Sequence, residues 1–133
     1  LQSFMFDIYD KCYRYFGKHK IEGGTRQDEI FKSFVSLVHE HCASQREVSF
    51  YADKLCISTK YLTGICKAVT GDSAKKIIDD FAILKIKVLL QSTELTVQEI
   101  ADRLHFPDQS YLGRYFKRHE GMSPKEYQSK YSI

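Results

Sequence analysis

No run of about 18 apolar residues occurs anywhere in the 133-residue sequence, so no helical membrane span is expected. No basic stretch leading into an apolar core and a small-residue cleavage site opens the chain, so a secretory leader is not expected and a cytoplasmic location is. The four cysteines, Cys12, Cys42, Cys56 and Cys66, form no C-x-x-C pair. Each sits among apolar positions at helical spacing, which points to reduced small core residues rather than a disulfide framework. His39, His41 and Cys42 lie close together, but positions two apart point to different sides of a helix, so no metal site is expected. Missing too are a Ser/His/Asp order, a paired-carboxylate site and a phosphate-cradling glycine loop, so no catalytic residue, no cofactor and no enzyme activity are expected. Even charge is scarce as a signal: the formal net value is only +3. Its distribution is more telling, because residues 1–45 carry six basic and six acidic side chains while 46–133 carry 14 and 11.

What is present is an ordinary globular composition, 43% hydrophobic and 28% charged, enough for one compact domain with an appendage. Leu1, Phe4, Met5, Ile8, Cys12, Tyr15 and Phe16 recur at helical spacing, with Phe6, Tyr9 and Tyr13 as a second stripe. Such a helix wants two partners, so residues 1–16 are expected either to couple to a missing upstream sensor domain or to form a homodimer. Gly17, Gly23 and Gly24 mark a linker, which places the division at 1–24 and 25–133. From Asp28 to roughly Ser44, Ile30, Phe31, Phe34, Leu37, Val38 and His41/Cys42 line an amphipathic helix.

From Glu47 onward the sequence repeats itself. At an offset of 49, Val48-Ser-Phe-Tyr-Ala-Asp-Lys-Leu55 lies on Val97-Gln-Glu-Ile-Ala-Asp-Arg-Leu104. At an offset of 50, Tyr61-Leu62, Lys67, Gly71, Ser73 and Lys75 fall on Tyr111-Leu112, Lys117, Gly121, Ser123 and Lys125, so the extra residue belongs in the turn. Each copy reads as helix, turn, helix. Val48, Tyr51, Ala52 and Leu55 precede Leu62, Ile65 and Cys66; Val97, Ile100, Ala101 and Leu104 precede Leu112, Tyr115 and Phe116. Ser58 and Asp108 are N-cap candidates, Thr96 with Glu99 reads as a capping box, and Gly71 and Gly121 as left-handed C-caps. Ala52 and Ala101 mark the close crossing of the two helices. The expected fold is therefore all-α: two helix-turn-helix units, about 47–71 and 96–121, joined by a long spacer helix over 73–91, with a closing helix over 124–131 and an N-terminal appended helix. At 1.5 Å per residue the spacer would span about 27 Å, nearly one turn of duplex.

At these residues the chain resembles the DNA-binding domain of the AraC/XylS family of bacterial transcription regulators. The resemblance covers residues 28–131 and is strongest over Ile100-Ala-Asp-Arg-Leu-His-Phe-Pro-Asp-Gln-Ser-Tyr-Leu-Gly-Arg-Tyr-Phe-Lys-Arg-His-Glu-Gly-Met-Ser-Pro-Lys-Glu-Tyr127. It implies double-stranded promoter DNA as the ligand, RNA polymerase as a partner and an upstream domain that senses a signal. His105 stands where the family usually has glycine, Gln128 where an arginine commonly follows the tyrosine, and Phe81 where the spacer commonly carries arginine.

An α-helix fits the major groove, so exposed positions early in each second helix are candidates to read base edges: Lys60, Thr63 and Lys67 in the first unit, Gln109, Ser110 and Arg114 in the second. Lys117 and Arg118 are candidates for phosphate, a role that also suits Lys60 and Lys67. Tyr61 and Tyr111 are placed either to touch sugar-phosphate through their hydroxyls or to pack against the neighbouring helix. Gly64 and Gly113 fall on the same faces. The alternative to a DNA-binding regulator is a protein-interaction module that contacts RNA polymerase or another regulator with weak or no DNA binding.

Overall fold

The computed structural model describes residues 25–92 and 94–131; the N-terminal helix, its linker and the dimer expected through residues 1–16 lie outside them. All regular structure among the described residues is helical. In order come α1 (Arg26–His41), α2 (Val48–Lys54), α3 (Thr59–Thr70), α4 (Ala74–Ser92), α5 (Val97–Arg103), α6 (Gln109–Glu120) and α7 (Pro124–Tyr131). None of them is long and apolar enough to cross a membrane. The chain divides into two compact units, with the boundary between Ala82 and Ile83, inside α4.

In the first unit α1 packs on α2 and α3. Its start lies two residues before the expected one, because Thr25 and Asp28 form a capping box: the Thr25 Oγ1 accepts from the Asp28 N–H at 3.2 Å and the Thr25 N–H donates to the Asp28 carboxylate at 3.1 Å. The other end is closed by Arg46, whose guanidinium donates to the carbonyls of Cys42 at 3.2 Å and Ala43 at 2.7 Å. Phe31, Phe34, Val35, Val38, Tyr51, Ala52, Leu62, Ile65 and Cys66 form the core, completed by Ala74, Ile77, Ile78 and Phe81 of α4. Phe81, unusual for the family, is thus a core ring 1% exposed.

The second unit buries Ile83, Ile86 and Leu90 of α4 together with Ile100, Ala101, Leu104, Phe106, Leu112, Tyr115, Phe116 and Tyr127. Two polar links fix α4 in it. Lys87 pairs with Glu120 at 2.8 Å, both side chains largely covered, and the Gln128 amide donates to the Leu90 carbonyl at 3.1 Å. The residue that departs from the family at 128 therefore ties α7 to α4.

One sequence expectation is corrected. Cys42 and Cys66 are buried, but Cys56 is exposed and lies in the turn after α2, at φ 58°. It is a turn residue rather than a core one, and Cys12 lies outside the described residues. Burial pushes the Cys66 thiol up to about 12, which keeps it protonated and unreactive. In the folded protein a maleimide reagent is expected to label Cys56 within minutes and to spare Cys66 until denaturant is added; peptide mass mapping of Cys66 as promptly labelled would contradict this burial.

Candidate nucleic-acid interface

Both units build the same frame around their second helix. The Ser58 hydroxyl accepts from the Tyr61 N–H at 3.0 Å and the Asp108 carboxylate from the Tyr111 N–H at 2.7 Å, each capping the helix it precedes. Gly71 at φ 86° and Gly121 at φ 81° close the far ends in the left-handed region, where a side chain would be strained. The turns also match. Cys56 and His105, at φ 58° and 59°, are the non-glycine residues with positive φ among the described ones, and both occupy the first turn position after the C-cap leucine. Directly after them the N–H groups of Ile57 and Phe106 donate back to Ala52 and Ala101 at 3.0 and 2.9 Å. The register thus holds at 49 through Phe106 and becomes 50 at Asp108, which makes Pro107 the inserted residue. His105 adopts the conformation in which glycine is least strained, and that is the physical sense of the family's usual residue there.

The buried side chains of the second helices are Leu62, Ile65 and Cys66 in α3 and Leu112, Tyr115 and Phe116 in α6. Opposite these, solvent meets Lys60, Tyr61, Gly64 and Lys67 on α3, and Gln109, Ser110, Tyr111, Arg114, Lys117 and Arg118 on α6; Thr63 is partly buried at the edge. Every base-edge and phosphate candidate named from the sequence is therefore at least partly solvent-accessible on a second helix. Among the described residues no ion pair engages Lys60, Lys67, Arg114, Lys117 or Arg118, whereas Glu120, the sole acid of α6, is taken by Lys87. Both faces present uncompensated positive charge.

Tyr61 and Tyr111 remain 42% and 45% exposed, which keeps them reachable. Tyr111 also packs beside Phe106, with ring centroids 6.0 Å apart, and the Arg114 guanidinium lies 5.9 Å from the centroid of the same ring. Arg118 lies likewise over Tyr115 at 5.9 Å. Phe106 was not among the residues the sequence singled out; its apolar character just before Pro107 was the available signal.

A family model described as a helix-turn-helix domain matches residues 51–130. Among curated proteins the chain is similar to the arabinose operon regulatory protein of Salmonella typhimurium, with 28% identity over 103 residues. The aligned part is 77% of this chain but only 37% of that relative, so the chain spans little more than a third of its length. Among solved structures it is similar to the C-terminal domain of AraT, a response regulator from Geobacillus stearothermophilus, at a TM-score of 0.74 and 28% identity, over 82% of this chain and 91% of that one. The DNA-binding domain of AdpA, a global transcriptional factor solved in complex with a target DNA, shares the fold at a TM-score of 0.66 and 24% identity, over 81% of this chain and 94% of that one.

Proposed function

This chain belongs to the AraC-type helix-turn-helix family, whose DNA-binding domain it carries, and from that premise we propose that it regulates transcription by placing α3 and α6 each in a major-groove segment of a promoter duplex. The observation that carries this reading is the duplicated frame: two second helices capped at matching positions, each with basic side chains that face solvent in no ion pair among the described residues. Arg114, Ser110 and Gln109 have the chemistry to read base edges in the second unit, as do Lys60, Thr63 and Lys67 in the first. Lys117 and Arg118, with Tyr61 and Tyr111 through their hydroxyls, suit phosphates, and the charge of Lys60 and Lys67 serves there equally. The wider setting belongs to the same proposal: a cytoplasmic regulator that also touches RNA polymerase, in which residues 1–16 either couple to an upstream sensor or form a dimer contact.

Salt dependence tests it. If Lys60, Lys67, Lys117 and Arg118 each neutralise one phosphate, the slope of log K against log salt should lie near −4, at about −0.9 per contact. Lys117→Ala is expected to flatten that slope by about 1 and to weaken all duplexes alike. A wild-type slope near zero would leave the protein-interaction module as the better reading.

A further inference from the structure

The shared caps allow the two recognition faces to be compared residue by residue, and they are not alike. Position for position, Gly64 stands where the second unit has Arg114, and Ala68 where it has Arg118. A Cβ on Gly64 would meet nothing within 4 Å, and its φ is not in the positive range, so neither crowding nor backbone conformation asks for glycine. Glycine within a helix is unfavourable relative to alanine, so its presence here has no structural gain to explain it. The consequence is that α3 offers no guanidinium. Its charges are the ammonium groups of Lys60 and Lys67, point charges without the rigid planar fork of a guanidinium; they can meet a base edge, but they fix its geometry less and serve phosphate equally well.

The second unit has the opposite character. Arg114 and Arg118 lie over the rings of Tyr111 and Tyr115, each at 5.9 Å, and Tyr111 packs beside Phe106. A guanidinium already resting on a ring loses less rotamer freedom when it engages a base. Building on the DNA-binding reading above, we infer that the two units play unequal parts: α6 discriminates sequence through ring-seated Arg114, and α3 holds phosphates with little base discrimination. The ring of Tyr111, rather than its hydroxyl, is the positioning element for Arg114.

The test takes a duplex selected by the full chain and changes each base pair in turn, measuring affinity for the wild type and four variants. With the wild type, losses of roughly 5- to 100-fold should cluster in one half of the site. Arg114→Ala should erase one of those sensitive positions, while K60A/K67A should weaken every duplex alike and flatten the salt slope. Tyr111→Phe should keep the wild-type base preference, any loss of the hydroxyl's phosphate contact falling on all duplexes alike, and Tyr111→Leu should broaden the base preference at the Arg114 position without changing the salt slope. Equal discrimination in both halves, or loss of a sensitive position with K60A/K67A, would overturn the unequal division while leaving DNA binding intact. A Tyr111→Phe variant with a base preference as broad as that of Tyr111→Leu would overturn the role given to the ring. No salt-sensitive binding to any duplex would overturn the DNA-binding reading and this inference with it.

Discussion

Phe116→Ala is expected to destabilise the second unit by about 3–5 kcal/mol, a large fraction of the 5–15 kcal/mol by which small domains are stable. The ring is fully buried, lies edge-on to Tyr127 with centroids 5.5 Å apart, and belongs to the inner face of α6. Truncation removes its apolar surface from the core and leaves a cavity beneath the recognition helix. Relaxation is restrained there, because Lys87 with Glu120 and Gln128 with the Leu90 carbonyl hold α4, α6 and α7 together. The loss should appear as a lower urea midpoint and as faster amide exchange through α6 and α7. Duplex binding should fall with it, although Phe116 faces away from the interface. A midpoint change equivalent to less than about 1 kcal/mol would mean that the core is not packed around this ring.

The second large effect concerns Tyr51, which is fully buried, edge-on to Phe34 and Phe50, and donates its hydroxyl to the Gln45 carbonyl at 2.6 Å. Tyr51→Ala should cost about 3–5 kcal/mol. Tyr51→Phe, which keeps the ring and strands the carbonyl, should cost about 1–3 kcal/mol. The pair separates packing from hydrogen bonding. Burial also raises the pKa of this phenol above its ordinary value, as it does for the Cys66 thiol. In both cases the folded state holds its proton more tightly than the unfolded chain does. Their contribution is therefore full below the unfolded values, about 8.5 for cysteine and 10 for tyrosine, and is lost as pH rises beyond them. Wild-type stability should accordingly fall with pH in the alkaline range, and Tyr51→Phe should fall less steeply there. Parallel alkaline limbs would contradict burial of the hydroxyl as the cause.

The repeat carried most of the legible information, because the same local physics is written twice. Ser58 and Asp108, and Gly71 and Gly121, each close one helix end, and Ala52 and Ala101 are buried at matching positions of the two units, so spacing alone reveals them. The exposed candidates followed from the same periodicity, since naming the buried face of α3 and α6 names the open one. What periodicity could not reveal were backbone signs and long-range pairings. Cys56 looks apolar in a run of apolar residues, and nothing in that run announces a left-handed φ. Thr25 was overlooked because the first apolar residue of α1 comes only at Ile30, well inside the helix. Lys87 with Glu120, Gln128 with Leu90, and Lys75 donating to the Arg46 carbonyl at 2.8 Å join residues far apart in the chain. Long polar side chains of this kind read as solvated until the fold brings their partners in.

Selection of duplexes from a random library by the full chain at moderate salt, with sequencing of the survivors, tests DNA recognition most directly. Recovery of a motif in which at least one position depends on Arg114 is the expected result; survivors indistinguishable from the starting library would contradict it.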